Sequence, residues 1–320
     1  MVVNWLRSAF LFPGQNSQYV GMGADFYAEY PVSRQIFDQA DDILGFKLSK
    51  LMFEGDEATL NETINTQPAV YVCSVAMLRA LQHEAPQVKP FLAAGHSLGE
   101  LTALTAGNSL SFEDGVRLVR ERGRLMKQAG EIRPGAMAAI LGLDLDPVEA
   151  ICLEATQAIG EVVVVANDNC PGQVVISGFE RAVSHAIDLA LAKGAKKAIR
   201  LAVSVAAHSP LMSSVTGRFS KALANIDFHT PENCIYCNAS AVPMIALEDI
   251  RFQLNRQLTH SVRWRESIDS MIKEGGATLF IEIGPGDVLT GLVKRINRDV
   301  ERMTINSVPS LRACLQSLGG

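Results

Sequence analysis

Short apolar runs of strand length alternate with longer stretches of helical patterning in the first part of the chain. Residues 9–12, Ala-Phe-Leu-Phe, read as a buried strand, 67–81 as a helix, and the run from Phe91 to Ala94 as a second strand. That alternation predicts an α/β fold with a parallel sheet. At Arg133-Pro134-Gly135 the rhythm changes. A strand at 136–141, a helix from 147 to about 157 and strands at 162–166 and 173–177 are followed by a helix at 180–193 and a strand at 197–203. This βαββαβ order is that of a ferredoxin-like unit. Asp146 is expected to cap its first helix, with Pro147 in the first turn, and Gly194 to end the second. Beyond about residue 204 the first pattern returns, with helices near 211–224 and 247–257 and strands near 235–238 and 278–283. The expectation is a large α/β core built from 1–133 and 204–320, with a smaller ferredoxin-like subdomain, 134–203, inserted into it.

The chain has 320 residues, 48% of them hydrophobic, enough for a sizeable core. Its formal net charge of −5 and the absence of a long Lys/Arg cluster exclude an electrostatic footprint for nucleic acid. The first eight residues carry no apolar leader, and no run approaches the ~18 apolar residues of a membrane span. No membrane association and a cytoplasmic location are therefore expected. The six cysteines are too sparse for a disulfide framework and are expected to be reduced. Cys234-Ile235-Tyr236-Cys237 has metal or redox spacing, but no second Cys/His pair lies near it, so it reads as a half-buried strand and no metal is expected.

The candidate chemistry lies at Gly95-His96-Ser97-Leu98-Gly99-Glu100, between the second strand and a helix-competent run. Glycines on both sides leave room for a tight strand-to-helix turn with Ser97 at its apex. The free N–H groups at a helix start suit a developing oxyanion. Ser97 thus reads as a nucleophile for acyl transfer, and a serine needs a base, for which six histidines are available. Gly284-Pro285-Gly286 invites a dinucleotide-binding reading, but Leu289 occupies the third glycine position and no strand–helix unit with a distal acid is evident.

Seven segments in order carry a resemblance. They are Phe12-Pro13-Gly14-Gln15; the Gly95 to Glu100 turn; Arg122-Gly123 with Met126; and Ala166-Asn167-Asp168-Asn169 with Pro171-Gly172-Gln173. The series continues with Val205-Ala206-Ala207-His208-Ser209-Pro210-Leu211-Met212, Gln257 before Val262-Arg263-Trp264, and Glu282-Ile283-Gly284-Pro285-Gly286. Over nearly its whole length the chain resembles the malonyl-CoA:acyl carrier protein transacylase family. The resemblance implies an α/β-hydrolase-like core and a Ser–His dyad of Ser97 and His208, the imidazole oriented by a main-chain carbonyl near Gln257. It further implies an oxyanion hole of the Gln15 and Leu98 N–H groups, with Arg122 holding the carboxylate of the malonyl group. His96, Asn167 and Ala207 take supporting positions, His96 pointing away from its neighbour Ser97. By helical pattern alone, Arg122 would be an exposed charge.

What the family does implies a ping-pong transfer from malonyl-CoA, through a malonyl-serine ester, to the phosphopantetheine thiol of acyl carrier protein, with coenzyme A as substrate and no bound cofactor. Asn16 stands where the family usually has glycine, and Ala207 where malonyl-selective members often carry Phe. The smaller side chain leaves methylmalonyl or another α-substituted extender as a variant, in fatty-acid or polyketide synthesis. A serine esterase or thioesterase and a non-catalytic carrier-protein-binding module are the alternatives of other kinds.

Overall fold

A computed structural model describes residues 5–203 and 205–318. Residues 1–4, 204 and 319–320, assigned above to the large core, lie outside the described residues. The chain forms an α/β fold with two sheets. The first has strand order β10-β9-β1-β2-β7-β8, where β1 is Ser8–Phe12, β2 Leu92–Gly95, β7 Cys234–Tyr236, β8 Pro243–Met244, β9 Leu279–Ile283 and β10 Glu301–Ile305. All its pairings are parallel except that of β8 with β7. β1 is central and wholly buried. A parallel strand covered on both faces reads as an unbroken apolar run, which is why 9–12 was legible.

The second sheet is antiparallel, with order β4-β5-β3-β6: β3 is Gly135–Leu141, β4 Val163–Cys170, β5 Gln173–Phe179 and β6 Lys197–Arg200. The helices Leu145–Ile159 and Glu180–Ala192 pack on it through Val148, Ile151, Val183 and Ala186, giving the ferredoxin-like arrangement. β4 is irregular, with register shifts after Val165 and after Asp168. The irregular stretch turns outward to the first unit: Val262 donates to the Ala166 carbonyl and Asp168 to that of Val262, at 2.8 and 3.0 Å.

Several local expectations need correction. The helix Leu145–Ile159 starts at Asp144, not Asp146, and the Asp144 carboxylate accepts the Gly172 N–H, tying the β4–β5 turn to the helix start. β6 ends at Arg200, short of 203, because the chain leaves the sheet for the site. The helix expected at 67–81 spans Thr63–Glu84, running through Pro68. It is buried all round between the helices Pro31–Leu44 and Phe112–Ile132. The strand at Cys234 stops at Tyr236, leaving Cys237 beyond it; all six cysteines are free. Gly284-Pro285-Gly286 joins a strand to a helix, β9 to Val288–Ile296. That helix start is already capped: the buried Glu282 carboxylate accepts the Leu289 and Thr290 N–H groups at 3.0 and 2.7 Å, the place a phosphate would occupy. Among the described residues no helix is long and apolar enough to cross a membrane.

Candidate active site

The register that sets Phe12 beside Gly95 brings the carboxyl ends of β1 and β2 together, so Gln15 and Ser97 emerge at the same edge of the sheet. The Ser97 turn is so tight that both flanking positions must be glycine. A Cβ on Gly95 would sit 1.8 Å from the Gly99 carbonyl carbon, and one on Gly99 2.0 Å from the Phe12 oxygen. Ser97 itself has φ +52°, a left-handed conformation that costs a non-glycine residue roughly 1–2 kcal/mol. Asn238, just past β7, holds it there: its Nδ2 donates to the Gly95 carbonyl at 2.7 Å and its Oδ1 accepts the Ser97 N–H at 2.6 Å.

Ser97 Oγ lies 2.8 Å from His208 Nε2. His208 also has a positive φ, +57°, in a turn that Ser209 braces by donating to the Ala206 carbonyl. The carbonyls of Gln257 and His260 lie 2.8 and 3.2 Å from His208 Nδ1. Carbonyls only accept, so Nδ1 carries the hydrogen and Nε2 presents a lone pair to the serine. Burial, reinforced by the Arg122 charge, pushes the His208 pKa down to about 3, so the ring is a free base at neutral pH.

Arg122 is buried, not exposed: it is 1% accessible, on the inner face of the helix Phe112–Ile132 with Val119 and Met126, while Arg117 and Arg124 take the outer face. Its Nη2 donates to Ser97 Oγ at 3.1 Å and to Gln257 Oε1 at 2.8 Å; Nη1 donates to Gln67 Oε1 at 2.9 Å. Nε finds no acceptor among the described residues. Burial lowers the Arg122 pKa to about 10, against the opposing pull of Glu100, and the guanidinium stays charged at neutral pH. No carboxylate pairs with it directly among the described residues, so this buried cation faces the nucleophile without an anion in contact.

The remaining expected residues surround a cleft of about 250 Å³ between the two sheets. The Gln15 and Leu98 N–H groups make no hydrogen bond among the described residues, and both residues line the cleft with Ser97. Asn16 has φ +76°, which asparagine tolerates. Asn167 and Ala207 line the cleft wall with Met137, Val175 and Val203. His96 lines the same cleft as Ser97 but takes different partners. Its Nε2 meets Asn169 Oδ1 at 2.9 Å, and its ring packs edge-on against Trp264. Burial holds the His96 pKa below the usual imidazole value. Among the described residues no group of three or more His, Cys, Asp or Glu side chains is placed to hold a metal ion.

Sequence reasoning missed Gln67 and Asn238. Each leaves a faint signal, a lone amide opening an apolar helix in one case and closing a strand in the other.

Residues 9–313 match the family model described as an acyl transferase domain. The chain is 43% identical over 312 residues to the malonyl CoA-acyl carrier protein transacylase of Bacillus subtilis, covering 98% of this chain and 97% of that one. It is 44% identical over 307 residues to the protein of the same name from Haemophilus influenzae, covering 96% and 97%. Among solved structures it is similar to a malonyl-transacylase in complex with its type II PKS acyl-carrier protein. The identity is 41%, the TM-score 0.92, and the match covers 97% of this chain and 99% of that one.

Proposed function

The chain belongs to the acyl transferase domain family, and from that premise we propose that it transfers a malonyl group from malonyl-CoA to the phosphopantetheine thiol of an acyl carrier protein. The observation that carries the reading is the position of Ser97 Oγ, 2.8 Å from an unprotonated imidazole nitrogen and 3.1 Å from an unpaired buried guanidinium. An esterase needs the first contact but has no use for the second. A malonyl group, with its carboxylate one methylene from the reacting carbonyl, uses both.

Ser97 Oγ gives its proton to His208 Nε2 and attacks the thioester carbonyl. The N–H groups of Gln15 and Leu98 hold the oxyanion, and the C–S bond breaks as the CoA sulfur takes the proton from His208. The carrier thiol then yields its proton to the same nitrogen, attacks the malonyl-serine ester, and Ser97 leaves with that proton. Every proton and electron pair is accounted for without a bound cofactor, and coenzyme A enters and leaves as substrate and product. His208 lacks the aspartate of a full triad, its Nδ1 meeting only carbonyls. In the free enzyme Arg122 works against the base, its charge depressing the imidazole pKa; a bound malonyl carboxylate neutralises that charge, so the carboxylate-bearing donor itself relieves the depression. Six free cysteines suit the cytoplasmic setting that belongs to this proposal.

The apolar wall at Ala207, with Met137, Val175 and Val203, favours a second reading in which an α-substituted malonyl group is also accepted. Competition among malonyl-, methylmalonyl-, succinyl- and acetyl-CoA for Ser97 tests both. Malonyl first and acetyl last is the expected order; acetyl preferred over malonyl would refute the proposal, and methylmalonyl excluded would remove the second reading.

A further inference from the structure

Glu100 lies in the first turn of the helix Gly99–Ala106, three residues after the nucleophile, and the reaction as written gives it no task. It is fully buried, a costly place for a carboxyl group. Its Oε2 accepts from Gln257 Nε2 at 2.6 Å and from the Asn238 N–H at 3.4 Å, while Oε1 has no partner among the described residues. The charged or titratable groups acting on it are Arg122, from the helix Phe112–Ile132, and Cys237, beyond β7. Burial raises its pKa to about 7 against the pull of Gln257, Asn238 and Arg122. In either protonation state Oε2 remains free to accept.

The bond to Gln257 matters because an amide has two different ends. In the observed orientation Gln257 Oε1 faces Arg122, and Nε2 donates both to the Ser97 carbonyl and to Glu100. Turned over, the amide would set its NH2 against the guanidinium and its oxygen against two acceptors. We propose that Glu100 is a positioning residue: it holds the Gln257 amide in the one orientation that aligns Arg122 beside Ser97, and so sets the preference for acyl groups bearing a carboxylate. The main-chain carbonyl of Gln257 that holds His208 does not depend on that amide. Losing Glu100 therefore disturbs Arg122 more than the imidazole. The inference rests on the reading of Arg122 given above.

The test is the ratio of Ser97 acylation rates with malonyl-CoA and acetyl-CoA, which does not change with the fraction of enzyme that is folded. Glu100→Leu is expected to lower the malonyl-to-acetyl ratio about 10- to 100-fold, the usual reach of a residue acting through another. Glu100→Gln, which keeps an accepting oxygen at the Oε2 position, is expected to restore most of it. Added to Gln257→Leu, Glu100→Leu is expected to lower the ratio no further. If Glu100→Leu does not fold, Glu100→Asn, whose amide is too short to reach Gln257, takes its place. An unchanged ratio, equal loss in Glu100→Gln, or additive losses with Gln257→Leu would overturn the proposal. Arg122→Ala serves as the control: if it leaves the ratio unchanged, the reading of Arg122 fails; if it lowers the ratio and Glu100→Leu does not, the role of Glu100 alone fails.

Discussion

Replacing Arg122 with alanine separates recognition of the substrate carboxylate from the chemistry at Ser97. The guanidinium is 1% exposed, so solvent screening is slight and its interaction with a substrate carboxylate is that of a buried pair. Removing one member of such a pair strands the other and costs about 3–5 kcal/mol. At 1.4 kcal/mol per decade that is a loss of about two to three and a half orders of magnitude in malonyl transfer. Acetyl-CoA has no carboxylate to strand. It also gains, because Arg122 is the second largest cause of the low His208 pKa after burial, and removing it makes the imidazole a stronger base. Both donors share the loss of the donors to Gln67 and Gln257, which cancels in their ratio. Pre-steady-state acylation of wild type and variant, followed by intact mass with each donor, reads the effect. Equal losses on malonyl and acetyl would refute the reasoning and leave Arg122 a structural cation.

His208→Ala is expected to slow acylation by two to four orders of magnitude, roughly the contribution of a general base, with Ser97 still in place in the folded protein. Since the free-enzyme His208 pKa is depressed to about 3, kcat/KM for malonyl transfer should show no acid limb from this residue near pH 6.5; a fall centred there would contradict the assigned environment. Asn238→Ala removes two buried hydrogen bonds that hold the Ser97 turn. About 1–3 kcal/mol of stability is expected to go for each polar group left unpaired, with slower Ser97 labelling by a serine-directed phosphonate; an unchanged melting temperature and labelling rate would sink the clamp. Gly95→Ala, which would put a carbon 1.8 Å from the Gly99 backbone, is expected to yield no folded protein by circular dichroism.

The parts of the fold read most directly from the sequence are those whose residues are locally consistent. β1 is an uninterrupted apolar run because both its faces are covered, and the Gly95 to Gly99 turn shows itself because no other residue fits there. Arg122 illustrates the opposite case. Its helix carries a row of arginines whose spacing suggests solvent, and only tertiary packing separates the inward-facing one from Arg117 and Arg124. Asn238 and Gln67 were not legible for the same reason: each acts on a segment far away in the chain, and a single polar residue at the edge of an apolar run does not say what it will meet. The cap on the helix Leu145–Ile159 lies two residues before the expected Asp146 because two aspartates, Asp144 and Asp146, compete there, and the Asp144 partner, Gly172, comes from the neighbouring strand turn.

The most direct test of the account is a two-stage mass measurement on the intact protein. Malonyl-CoA alone is expected to add one malonyl group, mapped by peptide analysis to Ser97 and absent in Ser97→Ala, and holo acyl carrier protein is then expected to remove it and gain the same mass. A malonyl group found on another residue, or retained on Ser97 when the carrier protein is added, would contradict the account.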